Sequence, residues 1–165
     1  MKHVIAAVLL FSLLLSGCGF FGDRISEPVT FYYVRSEYDF GREPAVITSE
    51  EREASGHRND LSYLLALYLM GPAQEEHRSP LPPGTRILNP VQKGDSITLE
   101  LSTPADTFAD PELTLACACL TLTCLDITDA NEVTVLYRER SLTMTRDSLT
   151  LIDESTVQLT TEETK

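Results

Sequence analysis

The chain is poor in the residues that carry most enzyme chemistry: its 165 residues include no tryptophan, three histidines and four cysteines. Basic residues are also scarce, because 13 lysines and arginines stand against 25 acidic residues and leave a net charge of −12. Such a chain has too little positive charge to neutralise a phosphate backbone, so nucleic acid is excluded as a partner. The sequence contains no Gly-rich phosphate loop, paired-histidine metal motif or calcium loop. It therefore predicts no enzyme activity, no catalytic residue, no cofactor and no metal site.

Long apolar runs are absent except near the amino terminus. A short basic start, Met1-Lys2-His3, precedes an apolar run at positions 4–15 that is broken only by Ser12. That run is shorter than the roughly 20 residues that a membrane-spanning helix needs, but it suits the core of a signal peptide. Small residues at positions 16–17 then lead directly to Cys18. This series resembles a bacterial lipobox.

The lipobox resemblance implies that residues 1–17 are a lipoprotein signal peptide and that Cys18 is the site of lipid attachment. The thiol would receive a diacylglyceryl group, and the chain would be cleaved before the cysteine and acylated, for example with palmitate. More than one acyl chain gives stable membrane anchoring. The alternative is an ordinary secretory signal with an incidental cysteine. Residues 18–28 then form a membrane-proximal tether, and we expect the mature protein on the extracytoplasmic face of the cell membrane.

The first part of the domain is predicted to hold two strands and a charged loop. Residues 29–35 are rich in β-branched and aromatic side chains, which favour a central strand. A short second strand is predicted at 45–48, and the charged residues 49–58 are interpreted as an exposed loop. His57 lies in that loop, and the acidic residues there, such as Glu50, are expected to be solvated.

A helix is predicted next, with Asn59 as its N-cap and Asp60 in its first turn. Its core-facing residues fall at helical spacing, and Gly71 with Pro72 ends it; these residues are Leu61, Leu64, Leu65 and Tyr68. The opposite side carries Tyr63, Leu67 and Met70, so the helix is apolar nearly all round. Such a helix either is covered by loops or offers a second face to a protein partner. Tyr63, Leu67 and Met70 are therefore a candidate interaction face.

A proline-rich segment follows the helix, after a charged loop that contains His77. Residues 79–88 read Ser-Pro-Leu-Pro-Pro-Gly-Thr-Arg-Ile-Leu. Pro82 and Pro83 restrict the backbone to extended conformations, while Gly84 allows the chain to reverse direction. We favour an architectural role for this rigid turn over a role in ligand contact.

The helix that ends in Gly71-Pro72, followed by this proline turn, resembles the GerMN domain of sporulation and spore germination proteins. The resemblance continues through the Leu-Glu-Leu-Ser segment at 99–102 and the Thr-Leu-Thr segment at 121–123, and it spans roughly residues 29–146. It implies likeness to ring-building modules of secretion-type assemblies, and hence a protein partner in the cell envelope or a homo-oligomer.

The second half of the domain is predicted to contain two hairpins and a second helix. Strands at 85–92 and 96–102 flank a Lys-Gly-Asp turn, and Pro90 requires an edge position or a bulge. Asp110 is predicted as the N-cap of a second helix, with Pro111 and Glu112 in its first turn. Alternation at 120–124 is typical of a strand, but the helix start and the family resemblance favour a helix. Its predicted buried stripe is Leu113, Cys117, Leu120, Cys124 and Ile127. Strands at 131–138 and 142–145 follow, with an extension at 149–152, and residues 153–165 are interpreted as a polar tail that frays.

Three cysteines cluster on this second helix. Cys117 and Cys124 would share a face about 10 Å apart along the axis, beyond the reach of a disulfide. No histidine lies near in sequence to complete a zinc site. We interpret all three as small buried hydrophobes, while intermolecular pairing through Cys119 is left open.

Together these observations predict an α+β domain at 29–152, with two helices packed on one side of a small mixed β-sheet. The function expected is that of a non-catalytic, membrane-anchored lipoprotein with a protein-interaction domain, in an envelope or sporulation- and germination-related assembly. The alternative is a binding lipoprotein for a small envelope ligand such as a peptidoglycan fragment. A concave pocket near the proline turn would favour that alternative.

Overall fold

The computed structural model describes residues 28–37, 46–104, 108–153 and 156–159, with side chains up to Leu149. The predicted signal peptide, Cys18 and nearly all of the tether lie outside these residues. The elements, in chain order, are strands β1 (Pro28–Arg35) and β2 (Ile47–Glu53), helix α1 (Leu61–Leu69), strands β3 (His77–Arg78), β4 (Arg86–Lys93) and β5 (Ser96–Ser102), helix α2 (Asp110–Ile127), strands β6 (Glu132–Tyr137) and β7 (Arg140–Thr145), a 3-10 turn (Arg146–Ser148), and strands β8 (Leu149–Asp153) and β9 (Thr156–Leu159).

The predicted α+β class is confirmed, but the described strands form three sheets where one was expected. The first sheet has the order β2-β1-β3 and is antiparallel. The second has the order β4-β5-β6-β7, in which β5 and β6 are parallel and the outer pairs are antiparallel. Strands β8 and β9 form a separate hairpin. The parallel pair arises because α2 connects β5 to β6 as a crossover helix.

Helix α2 is buried on nearly every side because sheets and loops surround it. The predicted stripe is buried, and so are residues on its other faces, including Ala118, Cys119 and Leu122. Those three pack with Val34 and Ile47 of the first sheet. A helix that is apolar all round is expected at such a central position. The prediction of a helix over the strand-like alternation at 120–124 is therefore confirmed. The predicted N-cap is wrong by one residue, because Ala109 is the N-cap and Asp110 is the first residue of the helix.

Aromatic side chains join α1 to β1. The rings of Tyr33 and Tyr68 stack with centroids 4.9 Å apart, and Phe31 meets Tyr68 edge-on at 5.7 Å. The Tyr68 hydroxyl donates to the carbonyl of Tyr32 at 3.0 Å, so this fully buried ring keeps a hydrogen-bond partner. The predicted core residues Leu64 and Leu65 are also buried, and α1 is thus held against the first sheet.

The predicted exposed loop at 49–58 is wrong in its first half, because β2 continues to Glu53 and pairs with β1. Charged side chains at 50–53 concealed this strand. The N-cap of α1 is Asp60 and not Asn59: the Asp60 carboxylate accepts from the backbone amide of Tyr63 at 3.0 Å. Arg58 is not a free loop residue either, since its guanidinium donates to the carbonyls of Asp126 and Ile127 at the end of α2.

The predicted hairpins differ from the structure mainly at their ends. Pro90 lies in edge strand β4 beside a register shift between Leu88 and Val91, which confirms the expected edge position and bulge. Strand β7 begins at Arg140, earlier than predicted, and Arg138 adopts a positive φ of 56° in the preceding turn. Within the predicted frayed tail, residues 156–159 form strand β9.

Candidate functional site

A buried carboxylate holds the loop that leaves α1. The side chain of Glu50, in strand β2, faces the loop that follows α1 and is 1% exposed. The carboxylate accepts from the backbone amide of Ala73 at 2.9 Å and from that of Gln74 at 3.2 Å. These two residues follow Gly71-Pro72, where the helix has ended. The loop after α1 is therefore attached to the first sheet through the side chain of Glu50.

Arg52 and His77 complete the surroundings of this carboxylate. Arg52 donates to Glu50 at 3.1 Å and to the carbonyl of Gly71 at 3.2 Å. The Nδ1 atom of His77 lies 3.2 Å from Glu50 Oε2. Burial raises the pKa of the Glu50 carboxyl, but the hydrogen bonds from Ala73, Arg52, Gln74 and His77 together outweigh burial and lower the pKa below its ordinary value. The carboxylate is accordingly stabilised in its charged form.

Thr48, His77 and Glu50 form a hydroxyl–imidazole–carboxylate series. Thr48 Oγ1 lies 3.2 Å from His77 Nε2, and the other ring nitrogen faces Glu50. The order of contacts is that of a catalytic triad. However, Thr48 and Glu50 are only 8% and 4% exposed, and the carboxylate already accepts two backbone amides. We therefore interpret the role of these three residues as structural: they connect β2, β3 and the loop between α1 and β3.

The predicted interaction face runs along α1, from Tyr63 in its first turn to Met70 at its C-cap, and is partly covered. Tyr63 and Leu67 are half-buried and pack on the core, whereas Met70 is 79% exposed. The ring of His57 stacks on Tyr63 with centroids 4.1 Å apart. We call Tyr63, Leu67 and Met70 the α1 surface. Because Glu50 and Arg52 hold the residues directly after Met70, this apolar side chain is presented at a fixed helix end.

The proline turn adopts the conformation expected from its sequence. The backbone amide and hydroxyl of Thr85 both donate to the carbonyl of Pro82, at 3.1 and 2.7 Å. Gly84 has a φ of +80°, as a type II turn with a central proline and glycine requires. A Cβ atom at Gly84 would lie 2.8 Å from Cγ of Pro104, so glycine also provides the space for this close approach.

A cavity of about 260 Å³ lies beside this turn. Prolines form one side, apolar side chains from β1 and α2 contribute to its wall, and two charged residues, Arg78 and Glu112, also line it. The complete lining is Val34, Arg78, Ser79, Pro80, Leu81, Pro82, Pro83, Phe108, Glu112 and Leu115. The proline turn thus combines its architectural role with a position in the wall of a concave site.

The three cysteines of α2 are free thiols inside the core. Cys117, Cys119 and Cys124 are all 0% exposed, in agreement with their interpretation as small buried hydrophobes. Burial raises the pKa of Cys117 and Cys124 to about 12 and raises that of Cys119 as well. Intermolecular pairing through Cys119, which the sequence left open, conflicts with its complete burial.

In the described part of the chain, no group of three or more histidine, cysteine or acidic side chains is arranged to hold a metal ion. Neither of the described helices is both long and apolar enough to cross a membrane.

The fold defines a small α+β domain whose first helix is connected to the second sheet through a proline turn. A family model described as "Germane: Sporulation and spore germination" matches residues 30–143, and the protein belongs to this family. The GerMN resemblance is thereby confirmed. Among solved structures, "Putative Lipoprotein from Clostridium perfringens" has a TM-score of 0.46 and 18% sequence identity, over 74% of this chain and 89% of that chain. No curated protein matches the chain.

Glu50 was predicted to be solvated and is instead buried, and the position and walls of the cavity were not predicted. Glu50 had no local signal, because Thr48, Glu50 and Arg52 alternate along β2 with Ser49 and Glu51, which are polar as well, so neither row of the strand stands out. The cavity had no local signal, because its walls come from strand β1, the segment 78–83 and the start of α2.

Proposed function

We propose that the protein is an extracytoplasmic lipoprotein, anchored to the cell membrane through lipid on Cys18, that binds a protein partner without catalysis. The assembly would be one of the cell envelope, related to sporulation or germination, in keeping with membership of the Germane family. The observation that carries the binding role is Met70, a large apolar side chain that is 79% exposed at a fixed helix end. An exposed apolar side chain beside the half-buried Tyr63 and Leu67, on a rigid surface, favours protein association.

The anchor is tested by metabolic labelling with palmitate. The unaltered protein should incorporate label and fractionate with membranes, whereas Cys18→Ala should do neither, because the proposed acceptor thiol is absent. Equal labelling of both proteins would refute lipid attachment at Cys18. A membrane-bound but unlabelled protein would indicate an ordinary signal sequence that was not cleaved.

The partner is tested by crosslinking in native membranes, followed by pull-down with variants of the α1 surface. Met70→Glu should abolish capture, since it places a charge at the exposed end of the α1 surface and leaves the core untouched. Leu67→Glu should act in the same direction, with a loss of stability because Leu67 also packs on the core. The control is Leu136→Glu, a half-buried residue on strand β6 outside the α1 surface. Full capture by Met70→Glu would exclude the α1 surface.

A second copy of the chain is the other protein partner that the family resemblance allows. Sedimentation of the lipidated protein in detergent separates this case from a different partner. Self-association that Met70→Glu reverses would identify the α1 surface as a contact between copies, whereas a monomer at all concentrations would exclude it.

A second candidate function is binding of a small envelope ligand such as a peptidoglycan fragment. The observation that favours it is the cavity beside the proline turn, where charged and apolar side chains converge. Soluble peptidoglycan fragments should bind the unaltered protein. Binding should fall when Leu115→Arg fills the cavity and should be retained in Met70→Glu. Absence of fragment binding would remove this candidate and leave the partner role unaffected.

A further inference from the structure

The cavity beside the proline turn carries one positive and one negative side chain that do not neutralise each other. Arg78 of β3 and Glu112 of the first turn of α2 both line the cavity, and both residues are exposed to solvent. Among the described residues, neither side chain takes part in an ion pair. Opposite charges that share one concave site without pairing are available for a ligand that carries both complementary charges.

Each of these two side chains uses one atom in a hydrogen bond to the backbone and has further donor or acceptor atoms available for a ligand. Nε of Arg78 donates to the carbonyl of Arg35 at 3.4 Å, and the two terminal nitrogens of the guanidinium remain as donors. Oε2 of Glu112 accepts from the backbone amide of Ala109 at 3.2 Å, which leaves Oε1 as an acceptor. The guanidinium suits a carboxylate, and the carboxylate suits an ammonium group.

The rest of the cavity restricts what lies between those two charges. Its wall includes the buried apolar side chains of Val34, Leu81 and Phe108, and the rigid prolines of the turn. The volume of about 260 Å³ is below the roughly 300–1,000 Å³ that is usual for drug-sized ligands. This volume suits a small occupant, with a short body between its charged ends.

We propose that this cavity binds a small zwitterion of the amino-acid class, a free amino acid or a dipeptide, with its carboxylate on Arg78 and its ammonium group on Glu112. This inference rests on the second candidate function and names the chemistry of its ligand. Free amino acids and released envelope peptides share that chemistry, so the test compares ligands of both lengths.

The test is a titration of the full-length lipidated protein in detergent micelles, followed by NMR of backbone amides. The ligands are alanine, alanyl-alanine and three blocked dipeptides: N-acetylated, amidated, and blocked at both ends. Alanyl-alanine should shift amide signals at 78–85 and 108–115. Each single block should weaken binding about two- to fivefold, as expected for loss of one solvent-exposed ion pair. Stronger binding of alanine than of the dipeptide would identify a free amino acid as the ligand.

Two variants assign the charges. Arg78→Gln should bind the free dipeptide and its amide equally, while the preference for a free amino group is retained. Glu112→Gln should show the opposite pattern, and its amide oxygen can still accept from Ala109, so the helix start is preserved. Arg86→Gln and Glu100→Gln, exposed changes in β4 and β5 outside the cavity, should alter neither preference.

The outcomes separate the ligand chemistry from the binding function. Equal affinity for all four dipeptide forms would overturn the zwitterion assignment and leave small-ligand binding in place. Failure of every ligand to shift signals at the cavity would overturn the assignment, and the peptidoglycan-fragment experiment would then decide the binding function independently.

Discussion

The Glu50 carboxylate accepts the backbone amide of Ala73 through both of its oxygens, at 2.9 and 3.2 Å. This contact joins the middle of strand β2 to the loop that leaves helix α1, across 23 positions of the chain. It gives a buried acidic side chain the hydrogen bonds that its charge requires. Because Met70 lies just before this loop, the same contact fixes the end of the α1 surface.

Glu50→Gln should destabilise the domain by about 3 kcal/mol, near the lower end of the range for breaking a buried charged pair. The amide would place its NH2 group among hydrogen-bond donors, and Arg52 would lose its anionic partner. Urea denaturation followed by circular dichroism measures the change. The control is Glu51→Gln, the exposed neighbour on the same strand, which should stay within about 0.5 kcal/mol of the unaltered protein. A loss below about 1 kcal/mol for Glu50→Gln would contradict the role of the carboxylate.

The free energy of unfolding should depend on pH in a way that reflects ionisation of the Glu50 carboxyl. The pKa of Glu50 is lowered from its ordinary value of 4.5, so the folded state favours the ionised form. Its stabilising contribution is therefore complete above pH 4.5 and is lost as the pH falls through the lowered folded-state pKa. Urea midpoints between pH 7 and pH 3 should decline more steeply for the unaltered protein than for Glu50→Gln. Parallel declines would show that other carboxyl groups dominate acid unfolding.

The contrast between α2 and β2 shows what the sequence made predictable. A proline and two acidic residues at the start of α2 identified a helix despite strand-like alternation, because helix starts are specified locally. Strand β2 was missed because the stabilisation of Glu50 comes from Ala73 and His77, which are distant in sequence. Helical spacing predicted which residues form the α1 surface, but it did not predict that Tyr63 and Leu67 are half-buried. The cavity depends on how distant segments meet, which no local pattern specifies.

Arg58→Ala should destabilise the domain by about 1–2 kcal/mol. The Arg58 guanidinium donates to the carbonyl of Ile127 at 2.8 Å and to that of Asp126 at 3.2 Å, so its loss leaves two carbonyls at the end of α2 without this donor. A cation at this position also interacts favourably with the helix dipole. Chemical denaturation measures the loss. Arg86→Ala, at an exposed position in β4, is the matched control and should change little. Equal stability of the two variants would show that Arg58 does not cap α2.

Gly84→Ala should cost more than Gly94→Ala, although both glycines have positive φ values of 80° and 57°. Left-handed backbone costs an L-residue about 1–2 kcal/mol at either position. Only at Gly84 would the new Cβ meet a neighbour, Cγ of Pro104 at 2.8 Å, whereas Gly94 faces open space. Thermal unfolding should therefore show the lower midpoint for Gly84→Ala. Equal midpoints would mean that Pro104 moves aside at little cost.

The thiols of α2 should be unreactive in the folded protein. Cys117 and Cys124 are fully buried with pKa values raised to about 12, so both access and thiolate formation are suppressed. In the Cys18→Ala variant at pH 8, an aromatic disulfide reagent should label no cysteine in buffer and all three in urea. Ser141→Cys, added at an exposed position of β7, supplies a matched thiol that should react at once in the folded state. Because labelling of the buried thiols requires local opening, their slow rates should rise with urea as the core unfolds. Rapid labelling of Cys119 in buffer would instead show that α2 opens readily, and pairing between copies through that thiol would again be feasible.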